Sequence, residues 1–528
     1  MFPARARRNA GRVSFEKDFG AVAQLGERYN GIVEVVGSIP SGSTISNPSG
    51  NRGVLFWMRL LFPVTSPNLP PYRRPSVSTL DGSGEDLRMP FQLRPYQTAT
   101  GVLLVLKLAL LASLLAGNPH LFLYGDGNGY VQRAALLLQS GIFGMADGAG
   151  AVHPDSYRLP AYPVFLAATS FASGTAQLAV WSGIQLVIYH LWLLVIGAWI
   201  ARRHGERSAL YFVIALSLTL PWVHYVTTVH SDFQFAMLLF TGVVLMISAH
   251  EPETPRLSRA AFAAICLGVA ALTRPDLVFL PIWLAALIGA TSLWNRLTGY
   301  RVDVMPVTLS TLGTFGFMAL WALRNLVSTG EFVFTSVTDT VNRYFAGNIG
   351  ATPPTGGSLL ESVELMLRNG ARIVVDFVPA LAQIFFNPSR WYLHRYFESW
   401  GIRLSSTDVP LSKIGFFALP LSEQVYMVVG AALPLALVCV FLWVLFRIWR
   451  KRTAVASWSM ILMLWIMAYL VLQKGVWGAL TIGSGPRYAM SIWPFVIYIG
   501  ALAFTRPAPF TTPDQTVDFA SSPGGRGA

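Results

Sequence analysis

The chain has 528 residues, of which 53% are hydrophobic and 12% charged, with a formal net charge of +13. Its apolar residues fall in long uncharged blocks, which excludes a water-soluble globular protein and marks an integral membrane protein. The positive charge calls for no nucleic-acid partner, because its arginines sit in short loops between those blocks, and the two cysteines, Cys266 and Cys439, lie inside apolar blocks and offer neither a disulfide nor a cysteine metal site.

Residues 1–88 stand apart. They have no apolar periodicity and are rich in Pro, Ser and Arg, the composition of a disordered leader. The stretch "GAVAQLGERYNGIVEVVGSIPSGSTIS" also resembles the conceptual translation of a transfer-RNA gene. Gly20-Ala21-Val22 and Ser41-Gly42-Ser43-Thr44 can be encoded by complementary arms, and Gly37-Ser38-Ile39 by a T-loop sequence. On that reading translation starts at Met58 or Met89, the latter opening a short basic lead into the first apolar block.

A hydrocarbon core about 30 Å thick takes ~20 apolar residues per helical crossing. Ten blocks meet that need, over residues 99–117, 176–200, 208–227, 233–249, 260–273, 277–294, 304–323, 425–446, 457–473 and 488–505. A shorter piece, 160–173, carries two prolines near its start and reads as a juxtamembrane or re-entrant helix. Leaving it out of the count puts Arg202, Arg203 and Arg207, then Arg256 and Arg259, then Arg296 and Arg301, then Arg447, Arg450, Lys451 and Arg452 on one side. The positive-inside rule makes that side cytoplasmic and places both termini there. The expected fold class is therefore an all-α polytopic membrane protein. It has a leader over 1–88, an N-terminal membrane module over 89–326, an extracytoplasmic or interfacial segment over 327–424, C-terminal helices over 425–505 and a disordered cytoplasmic tail over 506–528.

On this topology Asp126 stands outside, where the first span ends, and the loop to residue 158 adds Asp147, His153, Asp155 and Arg158. Tyr130, Ala134, Leu137 and Leu138 recur at helical spacing, so Asp126 opens an amphipathic surface helix facing both water and the lipid boundary. Lys107, inside the first span, is costly unless it snorkels or finds a partner, and a structural role is expected.

The run "DGNGYVQRAALLLQSGIFG", followed by "SYRLPAYPVFLAATSF", resembles the first loop of the C-type membrane glycosyltransferases, a superfamily that includes protein mannosyltransferases and bacterial aminoarabinose transferases. Further landmarks follow in order: "VTTVHSDFQFAMLLF" with Asp232, "GVAALTRPDLVFLP" with Arg274 and Asp276, "ALRNLVSTGEFVFTS" with "NRYFAGN", and "GPRYAMSIWPF" with Arg487. The resemblance implies transfer of a sugar from a polyprenyl phosphate to a lipid, glycan or protein acceptor at the extracytoplasmic face of a bacterial inner membrane, with inversion at the anomeric carbon. It makes Asp126, matching the first-loop acid, the group that orients the nucleophile and takes its proton, with Asp232 as a second catalytic candidate. Arg487, then Lys474, then Arg274 would meet the donor phosphate, since arginine binds phosphate oxygens bidentately and does not titrate away. Tyr130, Arg158 and Tyr162, matching the rest of the first-loop pattern, are further candidates.

The sequence departs from many relatives at Gly127, where they carry a second acid. Binding of Mg²⁺ or Mn²⁺ then falls to Asp126 with Asp232, unless Asp232 only caps its helix. Arg274 and Asp276, flanking Pro275, form either a local ion pair, which is favoured, or a phosphate contact; Arg324 and Asn325 read equally as interfacial anchors. The segments "ARIVVDFVPALAQIFF" and "SRWYLHRYFESWG" lie in 327–424, and the second has the aromatic and basic density of a helix in the headgroup layer, either covering a lipid donor's phosphate or simply anchoring. No Gly-rich phosphate loop, zinc spacing or nucleophile elbow is present. The rival class is a transporter or flippase for a lipid-linked or small anionic substrate, but no clear internal repeat supports it and the acids gather on one side.

Overall fold

In a computed structural model of the protein, the described residues are 93–505 except 119–121, 124–125, 148–149, 251–255, 299–301, 335–366, 369, 388–395, 398–399, 401–416, 418, 452–457 and 482–485. All belong to one compact unit, Gly82–Ala528. The leader with its two candidate starts, the C-terminal tail, "NRYFAGN" and most of "SRWYLHRYFESWG" lie outside the described residues.

Among the described residues the protein is all-α apart from one small hairpin. Helix α1 (Pro95–Gly117) leads into the first loop, which holds α2 (Asp126–Ser140), the antiparallel strands β1 (Gly144–Ala146) and β2 (Val152–Pro154), and α3 (Ala161–Ala168). Then follow α4 (Gly174–His204), α5 (Glu206–Leu218), α6 (Leu220–Tyr225), α7 (Ser231–Ser248), α8 (Arg256–Ala271), a 3₁₀ turn at Pro275–Leu277, α9 (Leu280–Thr298) and α10 (Met305–Thr329). The C-terminal part adds α11 (Gly370–Phe386), α12 (Leu421–Lys451), α13 (Trp458–Thr481), a 3₁₀ turn at Pro486–Ser491 and α14 (Trp493–Ala501).

Among the described residues, seven helices are long and apolar enough to cross a membrane: α1, α4, α7, α9 with its preceding turn, α10, α12 and α13. Three of the ten expected spans take a different form. The block at 208–227 is divided: Thr219 is extended, Pro221 follows it, and the chain resumes as the short α6. The block at 260–273 forms a helix of 16 residues, and that at 488–505 is a 3₁₀ turn followed by the nine-residue α14. Helix α3, expected not to cross, has eight residues and spans only about 12 Å.

Large aromatic side chains hold the centre together. Trp192 of α4 stacks on Trp222 of α6 with centroids 5.7 Å apart and planes 2° off parallel, and Phe240 of α7 meets both Trp192 and Phe495 of α14 edge-on. The Trp222 indole donates to the Met490 carbonyl at 3.2 Å, pinning α6 to the turn that precedes α14. Helices α8 and α10 approach closely because each offers small residues. A side chain at Gly313 would run into Ala264 Cβ, and one at Gly268 into the Phe317 ring. In the membrane, where apolar burial gives little drive between helices, such backbone proximity supplies the packing.

Helix α11, the longest described helix lying wholly within the 327–424 segment, packs on α13 through Phe377, whose ring occupies the space a side chain at Gly475 would need. Its Val374, Val375 and Val378 are exposed while Ile384 is buried, as in a helix covered on one side only. Lys107 is buried, with its Nζ 4.6 Å from the centre of the Tyr189 ring. That cation–π contact is the partner it finds in place of snorkelling.

Gly313→Ala is expected to force α8 and α10 apart and to cost about 1–3 kcal/mol, the usual range for an overpacked contact. A lowered thermal midpoint in detergent would show it, whereas an unchanged midpoint would mean that the two helices can slide.

Candidate functional site

The loops at one end of the bundle bring the chemistry together. Helix α1 runs toward this end, and the alternation of the following helices returns the segments 155–162, 219–232, 272–276 and 486–488 to it. Asp126 is the first residue of α2, where the helix N-terminus favours negative charge. Of the amphipathic stripe read from the sequence, Tyr130 and Ala134 are buried and Leu137 partly so, but Leu138 is exposed.

Arg158 is placed by the turn that precedes it. Asp155 accepts from the backbone N–H of Tyr157 at 3.0 Å and of Arg158 at 3.2 Å, and is itself held by the buried Arg133 of α2 at 2.6 Å. Arg324, from α10, donates to the carbonyls of Asp155 and Phe143 at 2.9 and 2.8 Å and so ties the hairpin down. With its guanidinium thus aimed, Arg158 donates to Asp126 Oδ1 at 2.6 Å. Arg487, on the turn before α14, donates to Asp126 Oδ2 at 3.1 Å. The carboxylate is clamped from both sides.

Burial alone would raise the Asp126 carboxyl, but the positive charges of Arg487 and then Arg158 overcome it and hold the group well below the usual carboxylate range. Tyr130, with its hydroxyl 2.8 Å from Ser231 Oγ, is raised by burial and stays a neutral phenol. Tyr162 packs edge-on against Tyr130 with centroids 5.0 Å apart and donates to Gln185 Oε1 at 2.6 Å, so it supports Tyr130 from beneath and does not itself reach Asp126.

A second, deeper layer lies below. Asp232, in the first turn of α7, accepts at 2.7 Å from Arg274, which also donates to Asp276 at 2.7 Å. Asp276 in turn meets Lys474 at 2.6 Å and accepts from Gln473 at 3.1 Å. The local Arg274–Asp276 pair read from the sequence is therefore present, and Arg274 bridges it to Asp232. Lys474 was expected in a loop; it sits within α13, whose helix continues past the block seen in the sequence to Thr481. The Tyr488 ring joins the layers, with Arg487 and Lys474 each 5.0 Å and Arg274 5.8 Å from its centre.

All eight residues singled out from the sequence thus fall in one connected cluster, but exposure separates them. The side chains of Asp126, Arg487 and Arg158 are 26%, 26% and 20% exposed, while those of Asp232 and Lys474 are 4% and 2%. The upper triplet is the part a ligand meets first. Sequence reasoning singled out as site residues neither Tyr488, which directly follows Arg487, nor His230, two residues before Asp232. Gly127 has a physical explanation. A Cβ there would lie 2.8 Å from the Val229 carbonyl, whose residue is tied to Phe122 by a 2.9 Å backbone hydrogen bond, so the position has no room for a second acid.

The residues do not fit a divalent ion. Among the described residues no three of His, Cys, Asp and Glu gather as metal ligands. Asp126 and Asp232 each face an arginine, and Arg158, Arg274, Lys474 and Arg487 outnumber the three carboxylates. That surplus repels a cation and suits an anion such as a phosphate.

No protein-family model matches the chain, and no curated protein matches it. Among solved structures, the chain is similar to the oligosaccharyltransferase of Archaeoglobus fulgidus tethered with an acceptor peptide containing the NVT sequon, at 14% identity and a TM-score of 0.42, over 77% of this chain and 49% of that one. It is also similar to ArnT from Cupriavidus metallidurans, in the apo state and bound to undecaprenyl phosphate, at 18% identity and a TM-score of 0.35 over 78% of each chain. The chain spans about half the length of the oligosaccharyltransferase it matches. The fold and the site define an all-α, multi-pass membrane protein with a cationic, carboxylate-bearing cluster at one end of its bundle.

Arg274→Met is expected to strip Asp232 of its guanidinium and to cost about 3–5 kcal/mol, the penalty of leaving a buried charge unpaired. Thermal unfolding in detergent measures this, and a midpoint equal to wild type would mean that Asp232 finds another cation.

Proposed function

We propose that the protein is a membrane glycosyltransferase that moves a sugar from a polyprenyl-phosphate donor to a hydroxyl or amine acceptor on a lipid, glycan or protein. The observation that carries this reading is the Asp126 carboxylate held between Arg158 and Arg487 at the open layer of the site. A carboxylate pulled so far down is a weak base. A donor phosphodiester offers the same two arginines a monoanionic partner whose free oxygens match their forks, and it competes with Asp126 for them the more strongly as the breaking sugar bond leaves a second negative charge on the phosphate. Donor binding thereby frees the carboxylate, and its proton affinity rises as the cations turn to phosphate.

The acceptor oxygen or nitrogen then attacks the anomeric carbon from the face opposite the phosphate. The bond from that carbon to the phosphate oxygen breaks, its electron pair stays on the phosphate, and the acceptor proton passes to Asp126. One displacement inverts the anomeric centre. Arg487 and Arg158 meet the charge that develops on the leaving group. Lys474 and Arg274 act from below through space, with the Tyr488 ring packed against both of them and against Arg487. Asp232 keeps Arg274 in place, and its second oxygen stays available to the substrate.

The site end of the bundle is, on this reading, extracytoplasmic, and both termini are cytoplasmic in a bacterial inner membrane. Supporting this, Arg202, Arg203 and Arg259 cluster at the opposite end, where Arg259 also donates to the Ser248 carbonyl at 3.2 Å. A transporter for an anionic substrate draws support from one feature, the buried Lys107. That lysine stands alone in its span, whereas the connected network of acids and cations lies at one end of the bundle.

With purified protein, a panel of radiolabelled polyprenyl-phosphate sugars and membrane lipid extract, Asp126→Asn is expected to lower transfer by about 10²–10⁴-fold while leaving expression and insertion intact. Transfer equal to wild type would move the base elsewhere. The pH dependence gives a separate check. Because the folded carboxyl lies below its ordinary value of about 3.9, Asp126 stays ionised, and kcat/KM loses nothing through this group as pH falls from 7 to 5. Arg487→Gln removes the first-ranked cation, raises the Asp126 carboxyl and weakens donor binding, so an acid limb should move up toward neutrality as KM for the donor rises. An acid limb that is identical in the two proteins would contradict the clamp.

A further inference from the structure

Between the two layers sits a group that the transfer chemistry above does not use. His230, the residue before α7, is 1% exposed, and neither of its ring nitrogens has a hydrogen-bond partner among the described residues. The Asp232 Oδ2 atom is also buried and unpartnered, and it lies 3.5 Å from His230 Nδ1, beyond good hydrogen-bond distance. The edge of Tyr225 closes one side of the imidazole, with centroids 5.2 Å apart and planes 79° from parallel. A buried polar atom left without a good partner costs on the order of 1–3 kcal/mol, so an imidazole whose Nε2 has none and whose Nδ1 has only the long contact with Asp232 Oδ2 marks a position where a ligand can supply the missing bonds.

The charges around it decide what that is. A phosphate would be repelled by Asp232. A metal cation would be repelled by Arg274, which lies 2.7 Å from the other Asp232 oxygen. An apolar group would leave all three atoms unsatisfied. A neutral hydroxyl fits: its O–H donates to Asp232 Oδ2 while its oxygen accepts from a ring N–H, and a neighbouring hydroxyl can donate to the other nitrogen.

We infer that His230, with Asp232 Oδ2, reads hydroxyl groups of the transferred sugar and so sets which sugar the site prefers. The inference rests on the glycosyltransferase reading above and divides the site by depth. Phosphate is met by the exposed arginines, and sugar hydroxyls are met by the buried imidazole and carboxylate one step inward. His230 is then a specificity residue, and its loss should affect the sugar and spare the phosphate.

The test measures binding of bare undecaprenyl phosphate and of undecaprenyl phosphate carrying glucose, mannose or arabinose to detergent-solubilised full-length wild type, His230→Phe and His230→Gln. Wild type should bind its preferred sugar-bearing lipid more tightly than the bare lipid. His230→Phe, similar in shape but without ring nitrogens, should shrink that ratio by about tenfold, the effect of one lost hydrogen bond, and leave bare-lipid affinity within about twofold. His230→Gln, which places an amide near the Nε2 position, should restore part of the ratio. Thermal midpoints for the three proteins report folding independently. A ratio unchanged in His230→Phe, or affinities for all lipids that fall together, would overturn the inference. Wild type binding bare and sugar-bearing lipids equally would also overturn it while leaving the phosphate site standing. Wild type binding none of these lipids would instead overturn the donor reading itself, and this inference with it.

Discussion

The clamp on Asp126 is the contact on which the site's architecture depends. It joins one residue at the start of the first loop to arginines 32 and 361 positions further along the chain. A guanidinium taken largely out of water needs a partner, and so does a carboxylate beside it, so neither side can relax without exposing the other to the desolvation penalty. That mutual need fixes α2 over the bundle and the turn at residues 486–491 beneath it. The rest of the first loop can be understood as its support. Asp155 aims Arg158, Arg133 holds Asp155, and Arg324 reaches across from α10 to hold the hairpin on which the turn depends.

The same principle orders the site by depth. Deep in the cluster, Arg274 satisfies two aspartates and Lys474 a third contact, which locks α7, the 3₁₀ turn at 275–277 and α13 together. Nearer the surface, Asp126 and its arginines keep partial access to solvent, so a phosphate that offers the arginines the geometry of a carboxylate can replace Asp126 while water meets part of the carboxylate's lost contact. Rigidity below and exchangeability above are what a site handling a charged leaving group needs. Tyr488 lies against cations of both layers, and its electron-rich ring lowers the cost of holding three like charges near one another.

Much of this was legible in the sequence, for identifiable reasons. Apolar blocks report membrane helices directly, so the spans around α1, α4, α7, α9, α10, α12 and α13 were visible. Where the block contained Thr219 and Pro221, hydropathy alone could not see that the helix divides, because a broken helix and a continuous one have the same composition. The site residues were visible because most of them match the ordered landmarks of the resemblance, and the charged ones also stand out because ionisable groups in a greasy chain are few. Hydropathy could place them at one end but could not say how deep each lies. Lys474 read as a loop residue, since the charge itself ends the apolar block even though the helix runs on. Nor could it reveal that Tyr488 ties the cluster together or that His230 lacks partners, because both facts arise from elements brought together over long stretches of chain.

Gly127 joins these lines. A neighbouring acid pair would let the first loop hold a divalent ion, and the ion would then carry the charge opposite the phosphate. Here the Val229 carbonyl excludes any side chain at that position, and arginines neutralise both acids that remain nearby. The positive charge that a metal would bring is instead supplied by guanidinium groups that remain protonated at any physiological pH and present a fork to the phosphate oxygens. Under the proposed chemistry, a leaving phosphate therefore meets charge already in place, and the carboxylate that held this charge is released as the phosphate takes it. Phosphate recognition and activation of the base become one exchange of partners, which explains why a carboxylate so poor at taking protons in the free protein stands where the acceptor must lose one.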